Sequence, residues 1–93
     1  MVTEQVRIAV PDVPSGGRLR QALSDLGAEL RGTARDLEVV LTLKSPERDI
    51  VLAAVLDTLE RWLEAEDLHA TRMQVGGEIP YIVRAAEPAP AAA

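Results

Sequence analysis

The stretch Leu37-Glu38-Val39-Val40-Leu41-Thr42-Leu43-Lys44-Ser45-Pro46-Glu47-Arg48-Asp49 sets the architecture. In its first half Leu37, Val39, Leu41 and Leu43 alternate with Glu38, Val40 and Thr42, the period-two pattern of a strand with one buried face. Its second half is a helix start. Ser45 stands at the cap, Pro46 at the first helical position, and Glu47 and Asp49 place acids where the helix dipole favours them. A strand that hands over directly to a helix builds layered α-and-β architecture. The following helix carries a core stripe of Leu52, Val55, Leu56, Leu59, Trp62 and Leu63, with Ile50 and Val51 adding apolar surface beside it. Glu60, Glu64, Glu66 and Asp67 make its far end acidic, and it is expected to stop near Leu68.

Upstream, Val6, Ile8 and Val10 alternate with Arg7 and Ala9, which predicts a strand closed by Pro11-Asp12-Val13-Pro14. Ser15 can cap a helix starting at Gly16-Gly17, in which Leu19, Ala22, Leu23, Leu26 and Leu30 share one face. Gly27 weakens that helix by about 1 kcal/mol relative to Ala, and Gly32 suits its C-terminal turn. Downstream, Ala70 to Val75 and Ile79 to Arg84 predict two strands joined by the hairpin signal Gly76-Gly77. Pro80 cannot donate to a ladder, so the last strand belongs at an edge or starts late.

The predicted order is β-α-β-α-β-β. Right-handed crossovers put both helices on one side, giving an α+β (two-layer α/β sandwich) class: a four-stranded mixed sheet with two helices on one face. In a competing arrangement the last two strands form a long bent hairpin that packs separately. Residues 1–86 are expected to form a single small domain. Residues 87–93, rich in Pro and Ala, are expected to be a disordered tail.

Composition removes several functions. The chain has 93 residues, 47% hydrophobic and 27% charged, with a net charge of −5, no Cys and a single His. Disulfide frameworks, zinc ribbons and thiolate nucleophiles are excluded. An acidic chain is a poor ligand for phosphate backbones, so nucleic-acid binding through Arg7, Arg72 and Arg84 is the least favoured reading. No basic start with an apolar h-region appears at the N-terminus, and no apolar run is long enough to span a membrane; a cytoplasmic location is expected. Arginine so outnumbers lysine, with Lys44 the sole Lys, that a GC-rich bacterial source is expected.

The element order resembles that of small two-layer folds such as the TusA-like sulfur carriers and the C-terminal domain of bacterial initiation factor three. The resemblance is one of layout. The Cys-Pro-x-Pro helix start of the sulfur carriers has only Pro11-Asp12-Val13-Pro14 here, and without a thiol their chemistry is impossible.

Each candidate site also has a purely structural meaning. Ser15, Gly16, Gly17 and Arg18 could cradle a phosphate or carboxylate at a helix N-terminus, but they match no nucleotide-binding fingerprint. Ser45, Glu47, Arg48 and Asp49 are explained by helix capping. The sequence points to no nucleophile or orienting partner for His69, and the acidic run reads as a solvated face; no metal or cofactor is expected. The open face of the sheet is richer. Alternation places Arg7, Ala9, Glu38, Val40, Thr42, Arg72, Gln74, Pro80, Ile82 and Arg84 on it. Arginine mixed with apolar side chains is interface chemistry. The expected function is a non-enzymatic protein–protein interaction module, a small adaptor or regulatory domain acting with a larger partner or as a homo-oligomer. It would bind through Arg7, Val40, Arg72, Ile82 and Arg84 or through Ile50 and Val51. The alternative is an anionic-ligand-binding or enzymatic domain using Ser15 to Gly17.

Overall fold

Burial of every second side chain over Val6, Ile8 and Val10 gives the first strand one apolar face, and the rest of the fold is laid over that face. A computed structural model describes residues 3–33, 35–44, 47–77 and 79–85. The elements are β1 (Thr3–Ala9), α1 (Val13–Ala22), a short 3-10 turn (Ser24–Leu26), β2 (Glu29–Arg31), β3 (Glu38–Lys44), α2 (Arg48–Ala65), β4 (Ala70–Val75) and β5 (Tyr81–Arg84).

The class is α+β, two helices on a sheet, but the sheet has five strands rather than four and is antiparallel throughout, in the order β2-β3-β1-β4-β5. One element accounts for both corrections. Glu29–Arg31, expected to be the end of the first helix, is a strand paired with β3. An inserted strand reverses the direction of its successor, so β3 runs antiparallel to β1 instead of parallel. The strands from β1 to β4 thereby adopt the split β-α-β plan, and β5 extends it by a hairpin. The added strand also parts the chain from the element order of the small folds it resembles in layout.

The helix boundaries move for local reasons. α1 begins at Val13, with Asp12 as its cap and Pro14 in its first turn, and ends at Ala22. Gly27, with a φ of 74°, then turns the chain in the left-handed region. α2 ends at Ala65 in a Schellman-type turn: Leu68 N–H donates to the Leu63 carbonyl at 2.8 Å and Asp67 N–H to the Glu64 carbonyl at 3.2 Å. The expected cap Ser45 and Pro46 lie outside the described residues, as do residues 87–93.

Both helices pack on the face of the sheet that carries Val6, Ile8, Val39, Leu41, Met73 and Val75. Leu19 of α1, Leu23 just past its end, and Val55, Leu59, Trp62 and Leu63 of α2 complete one continuous core. Gly16 is the point of closest approach. A Cβ there would lie 2.8 Å from Val10 Cγ2 and 2.9 Å from Leu30 Cδ1. The helices are tied together by the indole of Trp62, whose Nε1–H donates to the buried Ser15 carbonyl at 2.8 Å. No helix among the described residues is long and apolar enough to cross a membrane.

Candidate interaction surface

Strand β5 ends the sheet on one side. The hairpin before it turns at Gly76, whose φ of 56° favours glycine. The Ala85 N–H donates to the His69 carbonyl at 2.9 Å, and this bond fixes the phase of the ladder. In an antiparallel pair, bonded and non-bonded residues alternate. Tyr81 and Val83 therefore direct their backbone groups toward β4, while those of Ile82 and Arg84 point away from the sheet. Among the described residues no strand lies beyond β5. Pro80, which has no N–H to present, stands just ahead of this edge.

The side chains around the edge are apolar. Ile79 is 84% exposed, Ile82 62% and Tyr81 50%. On the helix side, a groove of about 460 Å³ runs between α2 and the last hairpin. Leu52 and Leu56 form one wall, and Met73, Val75, Tyr81 and Val83 form the other. Arg48 stands at its rim, held by Glu4 at 2.7 Å. Tyr81 and the groove escape sequence reasoning. Alternation shows that Tyr81 faces the helices, but not that α2 stops short of covering it.

The open face is placed as alternation predicts, though Val40 on it is buried. Register sets Arg31, Glu38, Ala9, Arg72 and Ile82 in one cross-strand row and Glu29, Val40, Arg7 and Gln74 in the next. Arg7, Arg72 and Arg84 therefore step diagonally across β1, β4 and β5 toward the open edge. Arg7 donates to Gln74 Oε1 at 2.9 Å. Arg72 and Arg84 form no ion pair among the described residues. Val40 is on this face as expected, yet only 7% exposed. It lies on an inner strand with Arg7 and Glu29 as its register neighbours on either side, and so it offers little surface to a partner. Glu29 and Arg31, which pair at 2.6 Å, join the face through the unanticipated β2. No aromatic side chain lies on it, so it lacks the stacking platform of sheet-based RNA readers. Of the pair on α2, Ile50 is 76% exposed, while Val51 packs against the core.

The Ser15–Gly17 segment is not a loop at the helix start. It lies inside α1, with Ser15 and Gly16 buried. The helix N-terminus already holds a carboxylate: Ser15 N–H donates to Asp12 Oδ1 at 2.8 Å and the Ser15 hydroxyl donates to the same atom at 2.7 Å. These bonds, the backbone one foremost, hold the Asp12 carboxyl below the usual carboxylate range. Arg18 is engaged by Glu66, with Nε at 2.8 Å from Oε2 and Nη2 at 2.5 Å from Oε1. That bidentate pair lowers the Glu66 pKa and raises that of Arg18. The exposed His69 sits at the turn into β4, with its carbonyl taken up by Ala85. Among the described residues no group of three or more His, Asp or Glu side chains converges as a metal site.

The arrangement is thus an α+β two-layer protein with one apolar, backbone-exposing sheet edge. The chain matches no family model, no curated protein and no solved structure.

Proposed function

We propose that this protein is a non-enzymatic interaction module, an adaptor or regulatory domain that binds a protein partner or a second copy along β5. The observation that carries this reading is the edge itself. Ile82 and Arg84 direct backbone donors and acceptors outward, beside exposed Ile79, Tyr81 and Ile82 and an open apolar groove. Soluble monomers blunt such edges with short strands, charge, Pro, bulges or covering segments. Pro80 stands just ahead of the four-residue β5 and Arg84 at its far end, and the exposed Ile82 between them is where strand addition would be seated. The residues of the alternative anion site already have partners of their own: Arg18 is paired with Glu66, and Asp12 caps α1.

The test compares the full-length chain with an Ile82→Lys variant by light scattering over a range of concentrations and by affinity capture from the native host. A self-association or a stoichiometric protein partner that the variant loses supports the reading. A strict monomer that captures nothing beyond what the variant captures overturns it.

A further inference from the structure

The two sides of the β5 edge differ chemically, and that difference specifies an occupant. A strand laid beside β5 would send alternate side chains to opposite faces. Those on the helix side would enter the groove walled by Leu52, Leu56 and Tyr81. Those on the other side would meet Arg84 directly across the edge and Arg72 one strand further in, opposite Ile82. Neither guanidinium has an ion-pair partner among the described residues. We infer that β5 receives an extended peptide segment whose side chains alternate between apolar and acidic, apolar toward α2 and acidic toward Arg84 and Arg72. This inference rests on the interaction reading above and narrows it to one partner chemistry.

Self-pairing of β5 fits less well. The antiparallel register that uses every outward group of Ile82 and Arg84 sets Ile82 opposite the Arg84 of a second copy. That arginine then lies two strands from Arg72, about 10 Å across the ladder with Ile82 between them, and adds positive charge to a side that already carries Arg72 and Arg84. Shifting the register to set Ile82 against itself leaves Arg84 facing Pro80, which has no N–H to give. An acidic strand meets neither obstacle. It gives Arg84 a direct cross-strand partner, brings a second carboxylate toward Arg72 from the far side of Ile82, and supplies backbone partners to both Ile82 and Arg84.

The experiment titrates the full-length protein with two short fluorescent peptides, one alternating valine with glutamate and the other valine with lysine, read by anisotropy. Amide exchange is followed at Ile82 and Arg84. The glutamate peptide is expected to bind about tenfold more tightly than the lysine peptide, from one direct charge pair at Arg84 and a longer-range one at Arg72 made or reversed. Both amides should gain protection in the complex. A doubly reversed variant, Arg72→Glu with Arg84→Glu, should exchange the preference. Ile82→Pro, checked for folding by circular dichroism, should abolish binding of either peptide. Equal or absent binding of the two peptides, or binding without protection at Ile82 and Arg84, overturns the acidic-strand assignment. If self-association lost in Ile82→Pro appears instead, the interaction reading survives and this assignment falls. If self-association is absent too, and capture from the native host also returns nothing specific, both fall.

Discussion

At the residue scale, two side chains can be separated from their surroundings. Trp62 is buried to 5% exposure, and its single polar atom reaches the Ser15 carbonyl across the α1–α2 boundary. Trp62→Phe keeps most of the packing and removes that bond. The expected loss is about 1 kcal/mol, with more if the smaller ring leaves a void, read from urea unfolding followed by circular dichroism. A loss within error would mean that the bond does not couple the helices. Asp67 is the one non-glycine described residue with a positive φ, at 56°, and it closes the turn that ends α2. Glycine adopts this conformation without the Cβ clash. Asp67→Gly is therefore expected to stabilise the protein by about 0.5–1 kcal/mol, and Asp67→Val to destabilise it, in the same unfolding measurement.

At the scale of elements, the pair Arg18–Glu66 ties the middle of α1 to the end of α2, and Asp12 caps α1 from its own N-terminus. Both carboxyls are held below their ordinary range in the folded state. The unfolded chain thus takes up protons first as pH falls, and stability rises with pH across that window. Their contribution is complete above the ordinary carboxylate value of about 4 and is lost as pH drops through the lowered folded values. Urea midpoints should therefore fall on acidification below about pH 4, and more gently in Glu66→Gln than in wild type. Identical slopes would show that Glu66 is not linked to folding. This scale also separates what the sequence discloses from what it hides. β1, β4, the stripe of α2 and the late start of β5 follow from alternation, helical spacing and Pro80, all of them local signals. β2 does not. Leu30 falls four residues after Leu26 and so fits a helical stripe, and three residues are too few to show a period of two. Its strand character comes from pairing with Val39 and its neighbours on β3, contacts that no local pattern contains. The outward arginines are legible by parity. The groove is not, because it depends on where α2 lies over the sheet.

At the scale of the whole molecule, a single core supports two unequal edges. β2 is short, carries the Glu29–Arg31 pair, and turns outward the backbone of Leu30 alone among its three residues, whereas β5 is flanked by exposed isoleucines. A chain of this size has roughly 5–14 kcal/mol of stability in all. Leu59 is fully buried near the middle of the one cluster that holds both helices to the sheet. Leu59→Ala should cost about 2–5 kcal/mol, and at roughly 4–8 °C per kcal/mol its melting temperature should fall by about 10 °C or more. Because there is one core, that loss should be felt at the remote β5 edge, and occupation of the edge should in turn stabilise the core. A strand bound at a hundred times its Kd adds about 2.7 kcal/mol. The glutamate peptide should therefore restore much of the lost melting temperature in Leu59→Ala and none in the Leu59→Ala, Ile82→Pro double variant. Thermal melts of the two variants, with and without peptide, decide it. Equal rescue in both would place the peptide away from β5, and a wild-type melting temperature in Leu59→Ala would show that the two helices do not share a single core.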